Sequence, residues 1–173
     1  NERLSLLCII NTNRADSIAA GEELSRIFLA QGFILNANPE VDIPGVMKVS
    51  EEVLESIELV IVLGGDGTML RAAETVRGYE IPLLGVNLGR VGFLAEVDKP
   101  SVTELARAIK EQDYLRDARR VVAYTVTRGG VDVDSGWALN EVPMEHKENT
   151  RVGRFVTIDP RPLSRGWRVC IFF

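Results

Sequence analysis

Five consecutive residues, Gly64-Gly65-Asp66-Gly67-Thr68, combine the types needed to hold an anion and to take a proton. Glycines carry no Cβ, so their backbone N–H groups can come close to a phosphate. A helix starting there adds roughly half a positive charge of attraction. Thr68 offers a hydroxyl to the same anion. The lone acid is the unusual member, because Asp66 repels a naked phosphate. It makes chemical sense facing a hydroxyl that is to be phosphorylated, or holding a metal ion that bridges phosphates. The loop is neither a Walker A sequence, which ends Gly-Lys-[Ser/Thr], nor the G-x-G-x-x-G of dinucleotide folds. Taken alone, the same residues also describe a tight turn with Asp66 as a helix N-cap.

The elements around the loop decide where it stands. "LVIVLGG" reads as a strand buried on both faces, running into the glycines, with a helix following from about Gly67 to Val76. Earlier, "LSLLCIIN" has the same continuous apolar character. From Ala15 to Ala30 the residues Ile18, Ala19, Leu24, Ile27 and Phe28 recur at helical spacing until Gln31–Gly32. "FILN" predicts a second strand, "ANPEVDIPGVMKV" a loop, and Ser50 with "EEVLESIE" a short capped helix. "IPLLGVN" repeats the strand pattern, and Ser101 with Glu104 forms a capping-box pattern at the start of a further helix. Strands alternating with helices at this spacing predict a parallel, doubly wound sheet. Ligands on such sheets bind beyond the carboxyl ends of the strands, where the glycine–acid loop falls.

After "DYLRDARR" the rhythm changes. "VVAYTVTRGGVDVDSGWALNEV" alternates apolar and polar residues about Gly129–Gly130 and predicts a β-hairpin, with "RFVTID" a further strand. The expected organisation is an α/β domain over residues 1–117 and a partial β-rich domain over 118–173.

Composition narrows the class. The chain has 173 residues, 46% hydrophobic and 26% charged, with a net charge of −5, as an ordinary globular protein does. The acidic balance argues against nucleic acid or anionic membrane as a partner. No apolar run reaches the length of a membrane span and no signal peptide is visible, so a cytoplasmic protein is expected. Cys8 and Cys170 lie in apolar runs at opposite ends and read as reduced core residues. His146 is the only histidine and sits in the polar "EHKEN", which leaves no histidine triad and no histidine metal site. Trp137 and Trp167 read as packing residues.

"GGDGTMLRAA", "PLLGVNLGRVGFLAE" and "WALNEV", in this order, resemble the NAD kinase family, with an actinobacterial flavour in the second and third. The first motif is shared with diacylglycerol and sphingosine kinases and, as a variant, with phosphofructokinases. The other two are much more specific. The resemblance implies an α/β, Rossmann-like domain followed by a β-rich one. It also implies transfer of a phosphoryl group from ATP or polyphosphate to the adenosine ribose 2′-hydroxyl of NAD, with magnesium as the expected divalent ion. Asp66 matches the family's catalytic acid, the base toward that hydroxyl. Gly65, Gly67 and Thr68 belong to the nucleotide loop, and Arg71 matches a position that binds NAD in some members. Asn140 and Glu141 match the family's NAD-binding pair, Phe93 an aromatic on the nicotinamide side, and Asn87 a residue steadying its loop. Gly85, Gly89 and Gly92 suggest a chain passing close to a ligand, and Arg151 falls near a further NAD contact. The family implies a homo-oligomer, dimer or tetramer, for the full-length protein.

The chain departs from the family at its end. "IDPRPLS" is present, but "RGWRVCIFF" stands where family members continue into a Cys-Asp-Gly segment and a Thr-Gly-Ser-Thr-Ala-Tyr loop. The expectation is a fragment lacking most of the second domain, its last residues read from an altered frame. Two other functions stay open: a non-catalytic nucleotide-binding module, and a lipid kinase sharing the glycine–acid loop.

Overall fold

The computed structural model describes residues 3–86, 99–119, 122–138 and 168–172. These divide into two compact units, one spanning Asn1–Ala118 with Gly166–Phe172 and the other Arg119–Arg165 with Phe173.

The first unit is built on two buried strands, with Glu58 the one exposed residue between them. β1 (Ser5–Ile10) and β4 (Ile57–Leu63) pair in parallel. On β1 the short β2 (Ile34–Ala37) also pairs in parallel, followed by the two-residue β3 (Met47–Lys48). On β4 sits β5 (Leu83–Val86), again parallel. Two more strands, β6 (Leu115–Arg119) and β9 (Arg168–Phe172), complete the sheet in the order β3-β2-β1-β4-β5-β9-β6. The expected doubly wound parallel sheet is therefore present in its first five strands, and β9 joins it antiparallel to β5.

Side-chain alternation explains the continuous apolar runs. Leu6, Cys8 and Ile10 of β1, with Leu59, Ile61 and Leu63 of β4, form one core with α1 (Ala15–Ala30) and α4 (Lys99–Lys110). Phe28 is fully buried there, its ring centroid 5.1 Å from that of Phe33. Lys110 Nζ ties α4 to the end of α1 by donating to Gln31 O at 2.6 Å. The alternate set, Leu7, Ile9, Val60 and Val62, is equally buried. It lies on the opposite face, where α3 (Asp66–Thr75) packs against β4, β1 and β5 and buries Ala72 and Ala73. Right-handed crossovers require this split, since β1→β2 and β4→β5 run in opposite directions across the sheet.

Several expectations are corrected in detail. Helix α3 starts at Asp66 rather than Gly67. The loop after β2 contains β3, and "DYLRDARR" contains β6. Ser50 does occupy the N-cap of α2 (Glu51–Leu54), but its hydroxyl makes no cap bond to this four-residue helix. Ser101 lies inside α4, which already begins at Lys99, and Arg107 donates to the Glu104 carboxylate. The apolar end segment, expected with the β-rich region, supplies β9 to the first sheet.

In the second unit, β7 (Val122–Arg128) and β8 (Val131–Ala138) form an antiparallel hairpin. Its turn residues Gly129 and Gly130 have φ of 60° and 79°, the two positive values that make glycine the residue of choice in such a turn. "RFVTID" lies outside the described residues.

Candidate functional site

In the order β2-β1-β4-β5, the chain leaves β1 to one side and β4 to the other, so the crevice between their carboxyl ends is a topological switch point. Asn11 N donates to Leu63 O at 3.0 Å, closing the strand ends together. The glycine–acid loop leaves β4 directly beyond this bond.

Its three glycines turn out to have different reasons. A Cβ on Gly64 would fall on the Thr68 side chain, which is turned back against it, and Thr68 is only 9% exposed. Gly64 is thus fixed by packing, and Thr68 is buried in the first turn rather than presented openly to an anion. Gly65 and Gly67 are exposed, and a Cβ at either would meet nothing within 4 Å. Neither has a positive φ. Gly65 is the N-cap of α3 in extended conformation, and Gly67 lies within the helix, where glycine costs about 1 kcal/mol relative to alanine. The fold's own packing demands neither glycine, which leaves bare amides at a helix N-terminus open to close approach.

Asp66 occupies the first helical position, exposed, with no side-chain cap bond at this terminus. It is therefore not locked as a cap on its own helix. Arg71 follows four residues after Gly67, on the same helical stripe. Its guanidinium pairs with Glu40, in the turn between β2 and β3. Glu40 is bonded in turn by Asn38 Nδ2 at 3.0 Å. Asn38 is buried and clamps β1, accepting from Ile10 N at 2.8 Å and donating to Ile10 O at 3.1 Å. Glu40's own backbone amide, then Arg71 and Asn38, hold its carboxyl down at about 2. Sequence reasoning passed over Asn38 and Glu40 as loop residues. The signal was an acid three residues beyond the end of β2 on the sheet's ligand-binding rim, in "NPE".

Of the other expected site residues, Asn87, Phe93, Asn140 and Glu141 lie outside the described residues, as do Gly89, Gly92, His146, Arg151 and Trp167. Trp137 is half-buried in β8. Gly85 stands in β5 where a Cβ would meet the Met69 methyl group. A cleft lined by Ser5, Asn36, Ile57 and Pro82 opens at the amino ends of the strands, the wrong end of a parallel sheet for the glycine loop. No cluster of three or more potential metal ligands exists among the described residues. No helix among them is long and apolar enough to cross a membrane.

Comparison with known proteins agrees with this geometry. Residues 44–114 match the family profile described as the ATP-NAD kinase N-terminal domain. A protein of Leifsonia xyli subsp. xyli named NAD kinase is 43% identical over 173 aligned residues, covering 92% of this chain and 56% of its own length. One of the same name from Mycobacterium bovis is 46% identical over 120 residues, covering 69% of this chain and 39% of its own length. Another, from Thermobifida fusca, is 47% identical over 113 residues, covering 62% and 35%. The chain thus spans about half, or less, of the length of these curated relatives.

Proposed function

From the premise that this chain carries the N-terminal domain of the NAD kinase family, we propose that it serves ATP-dependent phosphorylation of the adenosine ribose 2′-hydroxyl of NAD, forming NADP. The observation that carries this reading is the pair of glycines, Gly65 and Gly67, that no packing or φ requires, flanking an uncapped acid at a helix start. Bare amides and a helix N-terminus suit an anionic nucleotide, and phosphoryl transfer demands mainly alignment and charge stabilisation. Asp66 accepts a hydrogen bond from the ribose hydroxyl and takes its proton as that oxygen bonds the γ-phosphorus and the bond from the γ-phosphorus to departing ADP breaks. Gly65 and Gly67 hold nucleotide through their amides. Arg71 supplies positive charge to the dinucleotide one turn along the helix.

A divalent ion fits this arrangement in one way only. A single carboxylate beside bare amides suits magnesium that arrives on the nucleotide and keeps most of its ligands from phosphate and water. When bound, the ion neutralises charge on the transferring phosphoryl group. Thr68, turned against Gly64, shapes the loop rather than touching the anion. Asn87, Phe93, Asn140 and Glu141 are NAD-binding residues in this reading by the family resemblance alone. Polyphosphate is the alternative donor, the cytoplasm the site of action, and a homo-oligomer the assembled form of the longer protein. The acidic net charge gives no electrostatic footprint for nucleic acid.

The test is incubation of the chain with ATP, magnesium and NAD, with NADP as the expected product. Nucleotide binding without product supports a binding module instead, and phosphorylation of diacylglycerol supports a lipid kinase.

A further inference from the structure

Arginine side chains on helix surfaces are ordinarily free to sample many rotamers, and an exposed ion pair restrains them weakly. Arg71 is half exposed in such a pair, but with an anchored partner. Its partner Glu40 sits in a turn fixed at several points: Val41 N donates to Asn38 O at 3.0 Å, and Lys48 Nζ donates to Pro39 O at 2.5 Å. Asn38 connects this turn to the carboxyl end of β1 through both its amide atoms. The bonds run without a gap from the Ile10 backbone through Asn38 and Glu40 to the Arg71 guanidinium. They connect the strand end beside the switch-point crevice to a cation one turn above the exposed amides. Glu40 uses one oxygen for Asn38 and the other for Arg71 Nη2. Among the described residues, Arg71 Nε and Nη1 carry no further side-chain bond, which leaves two donor nitrogens with three N–H groups for an incoming anion.

We propose that Glu40, set by Asn38, is the positioning residue for Arg71, aiming its guanidinium at the anionic diphosphate of the dinucleotide. The inference rests on the assignment of Arg71 to the dinucleotide made above. Pre-ordering a rotamer-rich side chain removes an entropic cost from binding, so losing Glu40 should weaken affinity about three- to tenfold. A merely structural ion pair predicts no such change. An inhibitory pair, in which Glu40 occupies Arg71 at the expense of ligand, predicts the opposite sign.

The experiment is calorimetric titration of the chain with NAD for the wild type, Glu40→Ala, Arg71→Ala and the double variant, with melting temperatures recorded alongside. The expected result is about three- to tenfold weaker binding in Glu40→Ala, at least as large a loss in Arg71→Ala, and no further loss in the double variant. Unchanged or tighter binding in Glu40→Ala, with Arg71→Ala weakened, overturns the role of Glu40 and leaves the dinucleotide reading standing. Equal losses from Glu40→Ala in the presence and absence of Arg71 also overturn it, since the effect then does not pass through the arginine. Wild-type affinity in Arg71→Ala, or no NAD binding by any form, removes the reading and the inference together.

Discussion

At the scale of single residues, the loop contains two kinds of glycine, and they predict opposite responses to the same substitution. Gly64 gives way to the Thr68 side chain, so Gly64→Ala should destabilise by about 1–3 kcal/mol through overpacking. Gly67 has open space above it and a helical backbone, so Gly67→Ala should stabilise by up to about 1 kcal/mol. The same alanine should weaken nucleotide binding, because its methyl group stands where a phosphate approaches. Denaturant unfolding of both variants, with nucleotide titration of the second, checks the pair. A Gly67→Ala variant that is less stable and binds normally would contradict the ligand-approach account. Cys8 gives a separate check: burial pushes its thiol up to about 12, so it should resist iodoacetamide in the folded chain and react only after unfolding. Mass-spectrometric mapping of the Cys8 peptide reads this directly.

Among the elements, β1, α1, β4 and the hairpin β7–β8 were legible in the sequence because periodicity and turn chemistry agree there. A continuous apolar run, a 3.6-residue repeat and a Gly-Gly turn each have one economical reading. What escaped was tertiary. The two-residue β3 exists only because β2 offers it an edge, and β6 and β9 only because the sheet extends past β5. No local pattern in "MK" or "LRDAR" announces a strand. Thr68 was read as an open hydroxyl because spacing does not reveal that it folds back onto Gly64. The Asn38–Glu40–Arg71 chain was missed because Glu40 and Arg71 are 31 residues apart, joined only when the turn after β2 meets α3 at the rim. Its electrostatics predict a pH effect. The Glu40 carboxyl is lowered from 4.5 to about 2, so its contribution is fully present above about pH 4.5 and is lost as pH falls through about 2. The stability gap between wild type and Glu40→Gln should therefore be small, since the pair is half exposed, and should close over that window. Chemical-shift titration of the Glu40 carboxyl carbon measures it; a midpoint near 4.5 would contradict the bonded geometry.

For the molecule as a whole, the first unit has the core of an independent α/β domain, with apolar layers on both faces of one sheet. Phe28→Ala should cost about 3–5 kcal/mol there, read as a shift in the urea midpoint. The family resemblance was legible because three motifs in fixed order carry it, and the profile match covers the glycine–acid loop itself. The proposed roles of Phe93, Asn140 and Glu141 are the part that neither strand pattern nor sheet topology specifies, because they were assigned by resemblance alone.

The most direct test of the central claim is the turnover of NAD to NADP by Asp66→Asn beside the wild type, at saturating ATP and magnesium. Asparagine keeps the size of the side chain at an exposed position and removes only its ability to take a proton. The account predicts kcat lower by about 100- to 10,000-fold with an unchanged melting temperature. Equal turnover by the two proteins would contradict it.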